Sequence, residues 1–249
     1  MTDIFENIGA EEEVEDIASE EQQMIESLYN HALLIELDSI AFPEARTVLF
    51  KSAVKHFKKC GIKITNMEFL KYFMNQSLED SVSEVLEDQE KYETELAESI
   101  EKSMRNDYRS ALKKAEVSPA LLKYIELAKK TESQIGVLSA LSEDVAIEIL
   151  ENMGVTENYK LVAEEEFPTI KRDGWLKLLK SMPVNPRACV VLTSNSKLAV
   201  AALFAEVKYI IAVPDEFSKH ADFTGTDFIL DSLENDEVFS AVEALMDHE

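Results

Sequence analysis

The chain has 249 residues, 46% of them hydrophobic, with only six Gly and six Pro, which suits one α/β domain plus a smaller insert, or one large domain, and a helix-rich fold. Its 49 acidic and 25 basic side chains leave a net charge of −24, a surface that repels nucleic acid and anionic membrane alike, so neither is expected as a partner. No apolar stretch approaches the ~20 residues of a membrane span, the acidic start is unlike a signal peptide, and the two cysteines, Cys60 and Cys189, fit reduced thiols in a cytoplasmic protein.

Residues 1–30 hold ten acids and no Lys or Arg. Val14, Ile17, Ile25 and Leu28 nevertheless recur near helical intervals, predicting an acidic extension that is partly helical or disordered. "HALLIEL" (31–37) reads as the first strand, with Glu36 and Asp38 at its end. After Pro43, "EARTVLFKSAVKHFKKCG" reads as a helix with Val48, Leu49, Ala53, Val54 and Phe57 on one face and a stop at Gly61. "TNMEFLKYFMNQ" is a second helix, with Thr65 and Glu68 at capping-box distance. Residues 77–116 read as one long helical region, and the whole span 44–130 carries no strand signal.

From residue 131 strands and helices alternate. "SQIGVLSAL", "YKLVAEEE", "RACVVLTSN" and "YIIAVP" read as strands, and "FTGTDFILDSL" as a short strand and turn. Between them "SEDVAIEILENMGV", "DGWLKLLKSM" and "SKLAVAALFAEV" read as helices, and "ENDEVFSAVEALMDHE" closes the chain as another. Such alternation predicts right-handed crossovers and a doubly wound parallel sheet. The expected organisation is an extension at 1–30, an α/β core at 31–43 and 131–249, and an all-helical insert at 44–130. Ligand chemistry in such a sheet lies beyond the carboxyl ends of the strands. Glu36, Asp38, Ser139, Thr193, Ser194 and Asn195 all fall there. His31, His56, His220 and His248 have no ligand spacing, and Trp175 reads as core.

In order and context the chain resembles the haloacid dehalogenase-like superfamily, the subgroup with a helical cap inserted after the first strand. "LIELDSIAF" is similar to that family's first motif, an apolar strand ending in D-x-D-G. "IGVLSALSEDVAIEILENMGV" resembles the second, and "TIKRDGWLKLLKSMPVNPRACVVLTSN" the third and fourth. The resemblance covers roughly residues 31–247 and implies a Rossmann-like core with a cap.

It also implies roles for the residues. In the family's phosphatases the first Asp attacks phosphorus, and the Asp two residues later serves as acid and base. Glu36 and Asp38 occupy those places. Glu36 is one methylene too long, and a misplacement of about 1 Å can cost on the order of 10²-fold. Ser39 stands where Gly normally follows. The second-motif hydroxyl matches Ser139, and the third-motif ammonium matches Lys171, although the family's more frequent spacing points to Thr169. Where the fourth motif places acids for Mg²⁺, this chain has Thr193, Ser194 and Asn195, so no cofactor is expected. "Thr-Ser-Asn" also resembles the "Ser-Ser-Asn" of the metal-free dehalogenases, but Leu198 replaces an acid found there.

Two readings follow. One is a degenerate family member, a pseudoenzyme that binds a small anion or a protein partner, with Ser139, Lys171, Thr193 and Asn195 as candidate binding residues. The other is an atypical active hydrolase with Glu36 as nucleophile, using Mg²⁺ or none. What fills the space around Glu36 separates them: an open pocket with Lys171 in reach and Ser139 opposite favours catalysis, and a pocket filled by Ile40, Leu198 or cap side chains opposes it.

Overall fold

A computed structural model describes residues 31–74, 76–163 and 170–247. The acidic segment 1–30, the end of "YKLVAEEE" and Thr169 lie outside the described residues. β1 (Ala32–Glu36) runs into a single helical turn, α1 (Leu37–Ala41). Then come α2 (Ala45–Lys59), α3 (Asn66–Phe73), α4 (Leu78–Asp88), α5 (Thr94–Leu112) and α6 (Pro119–Lys130). The rest alternates: β2 (Gln134–Ser139), α7 (Glu143–Asn152), β3 (Tyr159–Ala163), α8 (Gly174–Lys180), β4 (Cys189–Thr193), α9 (Ser196–Phe204), β5 (Tyr209–Ala212), β6 (Phe228–Ile229) and α10 (Asp236–Met246).

Among the described residues six strands form one parallel sheet, in the order β3-β2-β1-β4-β5-β6. β1 and β4 are buried along their whole length, which is why "ALLIE" and "CVVLT" read as continuous rather than alternating apolar runs. The expected α/β class, a doubly wound Rossmann-like sheet with a helical insertion, is the fold observed. Gly136 in β2 marks a close approach: a Cβ there would come within 2.6 Å of a Leu34 methyl and 2.9 Å of a Leu178 methyl, so those side chains would have to shift to admit one. Trp175 is fully buried and donates its indole N–H to the Leu198 carbonyl at 3.0 Å.

The insertion has two parts. α2 packs on α5, α4 on α5, and α3 on both α2 and α4, whereas α6 lies against β1, β2 and α10 on the sheet itself. Residues 77–116 form two helices rather than one, because Glu90 takes φ +53° and turns the chain between α4 and α5. The capping box at the start of α3 is present, with Thr65 accepting from the Glu68 N–H and Glu68 accepting from the Thr65 N–H. Cys60 and Cys189 are free thiols. Among the described residues no helix is long and apolar enough to cross a membrane.

Candidate active site

β1 and β2 are in register so that Glu36 lies beside Leu138, with Ser139 one residue on. The turn of α1 then carries Asp38 back over the end of β2. Its two oxygens accept from the Ser139 hydroxyl and the Ala140 N–H, each at 2.8 Å. The Ser139 oxygen accepts in turn from the Leu141 N–H at 3.1 Å. Burial outweighs these two donors, and with the nearby Glu36 charge it pushes Asp38 up to about 6. Asp38 is thus a carboxyl that changes protonation just below neutrality.

Glu36 is held on the other side, by the residues that follow β4. One oxygen accepts from the Thr193 hydroxyl at 2.5 Å and from the Ser194 N–H at 2.8 Å. The other faces the Arg46 guanidinium at 3.5 Å. Arg46 comes from the first turn of α2 and pairs with Asp215, beyond β5, at 2.7 Å. Burial works against its charge, but the Glu36 and Asp215 carboxylates outweigh that and raise its pKa, so Arg46 is a permanent cation. Asn195 points its side-chain oxygen at the N–H groups of Lys197 and Leu198 and caps α9. The Ser194 hydroxyl is buried with no hydrogen-bond partner among the described residues.

The structure brings a cation, Arg46, to the cleft of Glu36 and Asp38, from the helix that the sequence reads after Pro43 but to which it gives no part in the site. Lys171 is exposed, and among the described residues of its loop Ile170 lines the cavity. Ser139, Thr193, Glu36 and Asp38 are brought together, while Asn195 lines the cavity but spends its oxygen on the helix cap.

The space left between these groups is about 30 Å³, lined by Glu36, Asp38, Arg46, Leu49, Tyr108 and Ile170 among others. That is room for about one water. Leu49 and Tyr108 come from α2 and α5, so the insertion itself fills the site. Tyr108 is 4% exposed; burial, and then the Asp38 charge, raise its hydroxyl well above the usual tyrosine value. Further ties hold the insertion down. Arg109 donates to Ser142 and Lys113 pairs with Glu148 at 2.9 Å on α7. Phe217, beyond β5, packs against Phe69 and Phe50 with ring centroids 4.8 and 5.6 Å apart.

A profile of the haloacid dehalogenase-like hydrolase family matches residues 44–213. The chain belongs to this family. Among curated proteins no sequence match is found. Solved structures with the same fold include CbbY from Rhodobacter sphaeroides in complex with phosphate, at 18% identity and TM-score 0.64, over 82% of this chain and 95% of that one. β-Phosphoglucomutase from Clostridium difficile matches at 20% identity and TM-score 0.65, over 86% and 97%. A haloacid dehalogenase family hydrolase from Deinococcus radiodurans, with bound phosphate and sodium, matches at 15% and 0.63, over 87% and 97%. At such identities these likenesses establish the fold of this haloacid dehalogenase-like chain, and its chemistry has to be argued from its own residues.

Proposed function

We propose that this haloacid dehalogenase-like protein is a pseudoenzyme that acts by binding and does not carry out Mg²⁺-dependent phosphoryl transfer. The observation that carries this reading is Arg46 seated on Glu36 in a cavity of about 30 Å³. A nucleophile needs a free oxygen aimed at an electrophile. Here one oxygen already takes two hydrogen bonds and the other faces a guanidinium.

The residues present do not fit Mg²⁺, which needs near-octahedral oxygen ligands. Thr193 and Ser194 serve Glu36 as donors, Asn195 caps α9, and Arg46 brings a positive charge to the place a cation would need. Among the described residues no group of three or more His, Cys, Asp or Glu is arranged to hold a metal.

One observation favours the other reading. Asp38 at about 6 has the pKa of a useful general acid near neutral pH. An active enzyme would pair it with Glu36 as nucleophile and would require Arg46 to withdraw first. A panel of p-nitrophenyl phosphate and 2-chloropropionate, with and without Mg²⁺, separates the two. Wild type, Glu36→Gln and Asp38→Asn are expected to show the same background rate. Turnover by wild type that Glu36→Gln abolishes would overturn the proposal.

A further inference from the structure

Eight large apolar side chains stand exposed among the described residues, and four of them belong to one layer: Leu176 on α8, and Val200, Leu203 and Phe204 on α9. α8 packs over β2 and β3, α9 over β4 and β5, and the two helices touch. Positions 200, 203 and 204 recur at helical intervals, so they form a stripe along the outer side of α9. Phe204 is 79% exposed. A single exposed apolar residue is ordinary, but a stripe of them marks a surface that something covers.

The charge of this layer runs against that of the molecule. In a chain of net charge −24, residues 170–208 hold seven Lys or Arg against two acids, and all seven are exposed. Lys177 and Lys180 share α8 with Leu176, and Lys197 lies one turn before Val200. A second copy of the chain would bring the same positive face, so like charges oppose a symmetric pairing of this surface. The partner that fits is apolar and acidic.

The chain begins with such a segment. Residues 1–30 hold ten acids and no Lys or Arg, with Val14 and Ile17 set among them. These residues lie outside the described ones, but the point where they join the sheet is defined. Ala32 opens β1 beside Cys189, the first residue of β4. α9 returns from the far end of β4 to this same end, where the Lys208 N–H donates to the Pro186 carbonyl at 3.2 Å. Phe204 closes α9 there, and β1 lies two strand spacings, ~10 Å, from β5. About eight residues of extended chain, ~26 Å, cross that gap and the depth of a helical layer, which leaves Val14 and Ile17 within reach of the stripe. α2 is also basic, but it begins at the opposite end of the sheet and shows no large exposed apolar residue.

We propose that residues 1–30 fold back across α8 and α9, setting Val14 and Ile17 on Val200, Leu203 and Phe204 and their flanking carboxylates among the lysines. The surface is independent of the pseudoenzyme reading, since none of these residues lines the sealed cavity.

The test is zero-length carbodiimide coupling of the full chain, which joins a carboxylate to a lysine where the two touch, read by peptide mass spectrometry. An equal mixture of isotope-labelled and unlabelled chains separates links within one chain from links between copies. Links within one chain, from acids of residues 1–30 to Lys177, Lys180, Lys197 or Lys208, are expected. Phe204→Ser should lower their yield several-fold, because it removes apolar contact and leaves every charge in place. Ile17→Ser, which alters the segment and leaves the α8–α9 layer intact, should do the same. Links between copies would assign the face to a second chain, and links chiefly to the lysines of α2 would place the segment elsewhere. Either result overturns the proposal, as would a yield indifferent to both substitutions or no links at all.

Discussion

Arg46 occupies the first turn of α2, where the helix dipole disfavours a cation. That local conflict was the one signal in the sequence that it has a specific partner. Its two carboxylates, Glu36 and Asp215, come from the ends of β1 and β5, and the Asp215 bond spans 169 positions, so no spacing rule could reveal it. Glu36, Asp38, Ser139 and Thr193 were legible because strand ends are, and Asp215 met the same criterion in "YIIAVPDEF". Replacing Arg46 by Ala leaves the buried Glu36 and the half-buried Asp215 without their counter-ion, and should cost about 3 kcal/mol in urea unfolding. A double-mutant cycle of Arg46→Met with Glu36→Gln should recover part of that cost as coupling. Asp38 gives a pH signature. Its pKa rises from 3.8 to about 6 on folding, so between those values the native state holds more protons than the unfolded one. Stability therefore falls as pH rises from about 4 to about 6 and levels off above, by about 3 kcal/mol for this group. The difference between wild type and Asp38→Asn across that window should show the slope, and its absence would mean Asp38 titrates like a solvated carboxylate.

Individual helices show where pattern reading works and where it stops. The capping box at Thr65 and Glu68 needs only four consecutive residues, so it could be read directly. Thr65→Ala should cost about 1 kcal/mol by chemical denaturation, and an unchanged midpoint would mean the cap is idle. The break between α4 and α5 could not be read, because "EDQEKYETE" is polar throughout and contains neither Gly nor Pro. Glu90 makes the turn with φ +53° at an exposed site, a conformation only glycine adopts freely. The place of α6 on the sheet was equally hidden. Its apolar face, Leu121, Tyr124, Ile125 and Ala128, is what any helix packing on one side presents, and periodicity does not say against which neighbour.

For the whole molecule, alternation of apolar strands with helices was enough to fix a parallel doubly wound sheet, since crossover handedness and strand burial leave few alternatives. Closure of the insertion over the site was not legible, because it rests on pairs such as Arg109 with Ser142 and Phe69 with Phe217 that are distant in the chain. The net charge of −24 makes self-repulsion a term in the stability of the whole chain. Unfolding free energy should rise between low salt and ~0.15 M NaCl, where the Debye length shrinks to about 8 Å. On the pseudoenzyme reading the Arg46 guanidinium occupies the place a metal would need beside Glu36. Thermal unfolding against Mg²⁺ concentration at constant ionic strength tests this, because any ligand of the native state raises Tm by mass action. A flat Tm is expected for the wild-type protein. A saturable rise that Glu36→Gln abolishes would contradict it.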